Sequence, residues 1–111
     1  MTLTSSTSIP SASLTGSTPQ YLIFFSSGNP PWCPDCVDAQ PAINHVFGSS
    51  TADAHTVLVD RPDWKSPDNI FRTQFSITCI PTITKMINGK EVARIEDAEC
   101  KTIDSVTKFI Q

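Results

Sequence analysis

Basic residues are missing from the first half of the chain, where no lysine or arginine precedes Arg61. Up to Asp60 the sequence has four acidic residues and no base, and the remainder has seven acids and eight bases. Since it contains no run of lysine and arginine, we expect no nucleic-acid partner. The amino terminus also lacks the basic and apolar segments of a secretory signal, and the missing arginines argue against a mitochondrial transit peptide.

Long apolar runs are also missing. The longest, at residues 21–25, has five residues (YLIFF), against the roughly 20 that cross a bilayer as a helix. We therefore expect no membrane association and a cytoplasmic location. In that reducing compartment a C-x-x-C pair is catalytic or metal-binding rather than structural.

Cysteine is scarce, with four residues in the chain, too few for a disulfide-dense secreted domain. Cys33 and Cys36 form a C-x-x-C pair. The alternative to a redox pair is half of a zinc site, which needs four ligands. The other candidate ligands are isolated in the sequence, so we predict no metal site and no special role for either histidine: Cys79, Cys100, His45 and His55.

A chain of 111 residues, 39% hydrophobic and 17% charged, is long enough to bury one hydrophobic core. We predict a single domain over residues 1–111. Residues 1–19 admit two interpretations: a disordered tail, or a strand at residues 2–5 followed by a helical turn that begins near Pro10. We favour the second, because Ile9 and Leu14 offer a small apolar face.

Strand and helix signals alternate in the middle of the chain. Residues 21–25 predict a buried central strand. A helix is predicted from the W-C-P-D-C segment to about Phe47. Pro34 suits its first turn, Pro41 predicts a kink within it and Gly48 marks its end.

Two further elements follow in the sequence. Residues 55–61 predict a second buried strand between polar loops. Residues 66–75 predict a helix that starts at a Ser-Pro pair. We expect the buried face of this helix to consist of three residues: Ile70, Phe71 and Phe75.

The last third of the chain predicts a hairpin and a helix. Residues 82–88 and 91–96 are alternating β-branched runs joined by Asn88-Gly89, the strongest short-range signal for a hairpin. A closing amphipathic helix is predicted from four apolar residues at helical spacing: Ile103, Val106, Phe109 and Ile110. The expected fold class is α/β, with a central mixed sheet flanked by helices and a C-terminal hairpin plus helix.

The C-x-x-C pair lies between a predicted strand and a predicted helix, which is the redox arrangement. A cysteine in the first helical turn meets unpaired N–H groups and the positive end of the helix dipole, which favour the nucleophilic thiolate. Two intervening residues place the second sulfur where it can attack a mixed disulfide on the first. We therefore predict Cys33 as the nucleophile and Cys36 as the resolving thiol. Because bases are missing from the first half of the chain, we expect the Cys33 thiolate to be stabilised by the backbone rather than by a cation. Lys65 is the nearest base in sequence to a predicted functional loop.

Several motifs carry a resemblance to a known family. The C-P-D-C sequence and the segment Ile80-Pro81 resemble the thioredoxin superfamily. More narrowly, W-C-P-D-C at residues 32–36, the stretch at residues 63–72 and the tail at residues 96–100 resemble the thioredoxin domain-containing protein 17 family. The first 19 residues diverge from that pattern.

The resemblance implies a thioredoxin fold and a thiol–disulfide oxidoreductase acting as a protein-disulfide reductase. It implies reduction by thioredoxin reductase, ultimately from NADPH, with no cofactor bound to this chain; we expect a monomer. The implied substrates are small disulfides such as cystine, and oxidised, nitrosylated or persulfidated cysteines of selected proteins. Pro81 would follow a cis peptide bond, although the base rate of X-Pro bonds favours trans. The Ile80 backbone would pair with the substrate, and Trp32 and Pro34 complete the candidate substrate-binding residues.

Asp35 departs from ordinary thioredoxins, which carry Gly-Pro between the cysteines and a buried acid in the central strand. It is either a group that exchanges a proton with Cys36 or a solvated carboxylate that interacts favourably with the helix dipole.

The loop at residues 26–31 either shapes substrate access or is an inert surface loop.

For the remaining candidate residues, a structural role is the alternative to a functional one. Packing is the alternative role for Trp32 and the expected role for Trp64. Cys79, two residues before Pro81, is either a small buried residue or a regulatory thiol near the active site, and Cys100 is expected to be structural. A rival function for the whole chain is a non-enzymatic redox adaptor that binds partners through the same cysteine pair without turnover.

Overall fold

The computed structural model describes residues 2–10 and 15–111. The strands are β1 (Thr2–Ser6), β2 (Gln20–Ser26), β3 (Asp53–Val59), β4 (Thr82–Ile87) and β5 (Lys90–Glu96). The helices are α1 (Pro34–Ser49), α2 (Arg61–Lys65), α3 (Ile70–Thr73) and α4 (Ile103–Ile110), with a 3₁₀ turn at Asp97–Cys100. None of the helices within these residues is long and apolar enough to cross a membrane.

The described strands form one mixed sheet in the order β1-β3-β2-β4-β5. Strand β3 runs parallel to β1 and β2, whereas β4 is antiparallel to β2 and β5. Asn88 and Gly89, which join β4 to β5, both have positive φ, 54° and 76°, as a two-residue type I′ turn requires. The predicted mixed sheet, hairpin and closing helix are confirmed.

Strand β2 lies in the middle of the sheet and at the centre of the core, and every residue after its first is buried. The Tyr21 ring contacts Phe47 of α1 and Phe109 of α4. The Phe24 ring, on the opposite face of the strand, contacts Phe71 of α3. Because helices cover both faces, a continuous apolar run is stable here, and the predicted buried central strand is confirmed.

The segment that follows β3 differs from the prediction. Strand β3 ends before Arg61, which begins α2 instead. Residues 66–69 lie between α2 and α3, and the Asn69 side chain accepts a hydrogen bond from the Phe71 N–H (2.8 Å). Since the N-cap residue sets where a helix begins, the predicted helix at residues 66–75 is wrong, and α3 has only four residues.

The buried faces of α3 and α4 are narrower than predicted. Ile70 is 39% exposed and Ile103 is 47% exposed. Each is the first residue of its helix, and a side chain tilted toward the helix amino terminus projects past the helix end there. The other predicted core residues of these segments are buried or partly buried: Phe71, Phe75, Val106, Phe109 and Ile110.

Two other predicted boundaries can be compared with the structure. Helix α1 runs as one helix through Pro41 and ends at Ser49, two residues beyond Phe47. The predicted N-terminal strand is present as β1. The helical turn predicted after Pro10 falls on residues 11–14, which lie outside the described residues.

The prediction of no special role is wrong for His55, which has a structural role. It is buried, and its ring nitrogens contact the hydroxyl groups of Thr4 and Ser6. These contacts join β1 to β3, and burial lowers the pKa of His55 below its ordinary value. His45, by contrast, is exposed on α1.

Candidate active site

Cys33 and Cys36 lie at the amino end of α1. Cys33 is the N-cap residue, with extended backbone (φ −92°, ψ 123°), and Pro34 follows within the first turn of the helix, where its missing N–H costs no hydrogen bond. The Cys33 carbonyl accepts hydrogen bonds from the N–H groups of Cys36 (3.0 Å) and Val37 (3.1 Å). The turn therefore presents Cys33 at the helix terminus, where the helix dipole favours a thiolate.

The two thiols differ in exposure. Cys33 is half-buried, whereas Cys36 has 0% exposure. Burial raises the pKa of Cys36 to about 12, opposed by hydrogen bonds from Ser26 that lower it. Cys36 is therefore a protonated thiol at neutral pH, and Cys33 is the member of the pair that a substrate can reach.

Ser26, the last residue of β2, lies between the two cysteines and is 1% exposed. Its N–H donates a hydrogen bond to Cys36 Sγ (3.4 Å). Its hydroxyl oxygen accepts one from the Cys33 N–H (3.3 Å). Ser26 was predicted to lie in a loop, and its position between the cysteines was not predicted. The available signal was a polar residue directly after the apolar strand that leads into the motif.

The Ile80 carbonyl lies beside the active-site thiol, with its oxygen 3.9 Å from Cys33 Sγ. The Ile80–Pro81 peptide is cis, and Pro81 is fully buried. The Pro81 carbonyl accepts a hydrogen bond from the Asp97 N–H (2.9 Å). The fold thus brings the predicted substrate-binding residues Ile80 and Pro81 next to Cys33, across 47 positions of sequence.

Trp32 is fixed to the end of β3. Its indole N–H donates to the Val59 carbonyl (2.8 Å), and its ring packs partly buried on the core. The Trp32 backbone N–H donates to the Ser27 carbonyl (3.1 Å). Pro34 is exposed. Contact of Trp32 and Pro34 with a substrate stays a prediction, whereas Trp64 packs on the core as expected.

Asp35 is paired with a base from the far end of the chain. The Lys101 ammonium lies 2.9 Å from Asp35 Oδ1, across 66 positions of sequence. A base therefore lies beside the motif, and it is Lys101. Because the hydrogen bonds at the Cys36 sulfur involve Ser26 and Cys33, proton exchange between Asp35 and Cys36 stays a prediction.

Cys79 and Cys100 lie outside the pair, and all four cysteines are free thiols. Cys100 has 0% exposure, and its Sγ donates to the carbonyl groups of Pro81 and Ile95 (both 3.7 Å). Burial raises the pKa of Cys100 to about 12 and also raises that of the half-buried Cys79. In the part of the chain that the structure describes, no group of three or more His, Cys, Asp or Glu residues is placed to hold a metal ion.

Comparison with known proteins gives consistent matches. The family model described as thioredoxin domain-containing protein 17-like, thioredoxin domain, matches residues 11–111. Thioredoxin domain-containing protein 17 of Mus musculus is 32% identical over 78 residues, covering 68% of this chain and 63% of the mouse protein. The thioredoxin-like protein Clot of Oryza sativa is 32% identical over 94 residues, covering 77% of this chain and 68% of the rice protein. The chain thus spans about two thirds of the length of these relatives.

Solved structures agree in fold at low sequence identity. Reduced Schistosoma mansoni thioredoxin pre-protein superposes with a TM-score of 0.68 and 14% identity, covering all of both chains. Reduced thioredoxin 2 of Pseudomonas aeruginosa gives a TM-score of 0.66 and 20% identity, covering 95% of this chain and 89% of that one. The predicted thioredoxin fold is confirmed.

Proposed function

The chain belongs to the thioredoxin domain-containing protein 17-like family of thioredoxin domains, and from this premise we propose that it is a disulfide reductase working through Cys33 and Cys36. The resemblance found in the sequence is confirmed, and family membership supports thiol–disulfide oxidoreductase chemistry in general. One observation carries the proposal. The pair is asymmetric, with a reachable Cys33 at a helix terminus and a fully buried Cys36 behind it.

The exchange proceeds in two steps. The Cys33 thiolate attacks one sulfur of a substrate disulfide, forms a mixed disulfide with it, and releases the other sulfur as a thiol after proton uptake. Cys36 then loses its proton and attacks the Cys33 sulfur, which closes the Cys33–Cys36 disulfide and releases the second substrate thiol. Two electrons and two protons pass from the dithiol to the substrate.

The proposed reductant of the oxidised pair is thioredoxin reductase, which draws electrons from NADPH, so that this chain holds no cofactor. The proposed substrates are small disulfides such as cystine, and oxidised, nitrosylated or persulfidated cysteines of selected proteins in the cytoplasm. The Ile80 carbonyl beside Cys33 supports a backbone contact with a protein substrate, because an extended chain can pair with main-chain groups next to the nucleophile.

We expect the chain to support NADPH oxidation when it is mixed with thioredoxin reductase and cystine. The measurement is the fall in NADPH absorbance, with insulin as a second substrate. Cys33→Ser should reduce the rate to that of the reductase alone, because no nucleophile remains to form the mixed disulfide. Cys79→Ser, which removes the other half-buried thiol, should keep the parent rate.

Two results would count against the proposal. If NADPH oxidation equals the reductase background for the parent chain, the adaptor function is favoured, since an adaptor binds partners without turnover. If Cys33→Ser retains the parent rate, the reactive group lies elsewhere in the chain.

A further inference from the structure

Lys101 lies where three carboxylates meet beside the active site. It directly follows the 3₁₀ turn at Asp97–Cys100. Its ammonium is 2.9 Å from Asp35, 3.6 Å from Asp97 and 3.9 Å from Asp38. The nearest of these, Asp35, stands between the two cysteines of the motif.

The Lys101 contacts join the two parts of the active site. Asp35 and Asp38 belong to the first turns of α1, which presents Cys33. Asp97 belongs to the turn whose backbone N–H holds the Pro81 carbonyl. The ammonium therefore bridges the helix that carries the nucleophile and the turn behind the substrate-contacting proline.

Charge at this point bears directly on the chemistry. A carboxylate near a thiol disfavours the thiolate, and a compensating cation removes that effect. The hydrogen bond to Asp35 raises the pKa of Lys101 above its ordinary value, so the side chain stays charged throughout the neutral range. Without the ammonium, Asp35, Asp38 and Asp97 would lose this counter-ion, and Asp35 is only two positions from Cys33 in the chain.

We propose that Lys101 is a positioning residue for the exchange reaction: by neutralising Asp35 it keeps that carboxylate from opposing formation of the Cys33 thiolate. The biological use of this effect rests on the proposed function. The effect of Lys101 on Cys33 is itself a property of the reduced chain and needs neither substrate nor reductase. It accounts for an acidic residue being tolerated between the two cysteines, where any negative charge disfavours the attacking thiolate.

The test is the rate of alkylation of Cys33 by iodoacetamide in the reduced protein, from about pH 5 to about pH 9. Peptide mapping separates labelling at Cys33 from labelling at Cys79. The variants are Lys101→Ala, Lys101→Arg, Asp35→Asn and the double variant Asp35→Asn with Lys101→Ala. Lys108→Ala, an exposed lysine on α4, is the matched control for loss of one positive charge.

We expect Lys101→Ala to move the midpoint of the pH–rate profile upward and to slow alkylation near neutral pH by roughly two- to fivefold at low salt. Salt should shrink this difference, because it screens exposed charges. Lys101→Arg and Lys108→Ala should follow the parent profile, and Asp35→Asn should shift it downward. In the double variant the two shifts should largely cancel, because one positive and one negative charge are removed together.

Each other outcome overturns the proposal. A Lys101→Ala profile that superimposes on that of Lys108→Ala shows that the ammonium does not act on Cys33. A double variant whose midpoint stays as high as that of Lys101→Ala shows that the Asp35 carboxylate does not oppose ionisation of Cys33. If Lys101→Ala fails to fold, the other two single variants test the proposal. Lys101→Arg must leave the midpoint of the pH–rate profile unchanged, and Asp35→Asn must lower it. No reductase is used, so failure of the NADPH assay and failure of this proposal remain distinguishable.

Discussion

Replacing Cys36 with serine is expected to lower the turnover of disulfide substrates by at least about a hundredfold while a covalent adduct accumulates on Cys33. The reason is geometric. The resolving sulfur is already held one helical turn from the mixed disulfide, and no thiol from solution reaches that effective concentration. The measurement pairs the NADPH assay with intact mass spectrometry after incubation with cystine.

The same variant has an internal control in Cys79. A double variant, Cys36→Ser with Cys79→Ser, should accumulate the same adduct, because Cys79 lies outside the proposed exchange. An adduct that disappears in the double variant would place the trapped disulfide on Cys79 instead. Turnover by Cys36→Ser at the parent rate would indicate a mechanism that uses a single cysteine.

Phe24→Ala is expected to lower the free energy of unfolding by about 3–5 kcal/mol, the usual cost of truncating a buried aromatic side chain. Phe24 has 0% exposure in the middle of β2. Its ring lies 4.8 Å from the ring of Phe71 and 5.5 Å from that of Phe75. Because small domains are stable by only about 5–15 kcal/mol, the variant should be close to unfolding at moderate temperature.

Urea unfolding followed by circular dichroism measures this loss. Val92→Ala is the matched control, since Val92 on β5 is 54% exposed and should change stability by less than about 0.5 kcal/mol. Equal losses for the two variants would contradict the position of β2 at the centre of the core.

Local signals in the sequence were sufficient for the central strand, the active-site helix and the hairpin. The apolar run of β2 is buried on both faces, and Asn88-Gly89 supplies the two positive φ angles of its turn. Each of these three predictions depends on residues that are adjacent in the chain. The helix predicted at residues 66–75 failed because Asn69, not Ser66, is the N-cap residue of α3.

The chemistry of the site was predictable only in part. Cys33 and Cys36 follow from their spacing, and Ile80 and Pro81 from the family resemblance. Ser26 was missed because its contacts with the cysteines depend on how β2 ends against α1. Lys101 was missed because 66 positions separate it from Asp35, and no local pattern encodes a contact over that distance.

The central claim is that Cys33 is the reactive thiol and Cys36 the protected one, and timed alkylation of the reduced, folded protein tests it most directly. Brief treatment with iodoacetamide near pH 7, where a raised pKa of about 12 keeps Cys36 protonated, is followed by quenching and peptide mapping. The account predicts that Cys33 is labelled first and that Cys36 is labelled only after unfolding or at strongly alkaline pH. Labelling of Cys36 ahead of Cys33 in the folded protein would contradict it.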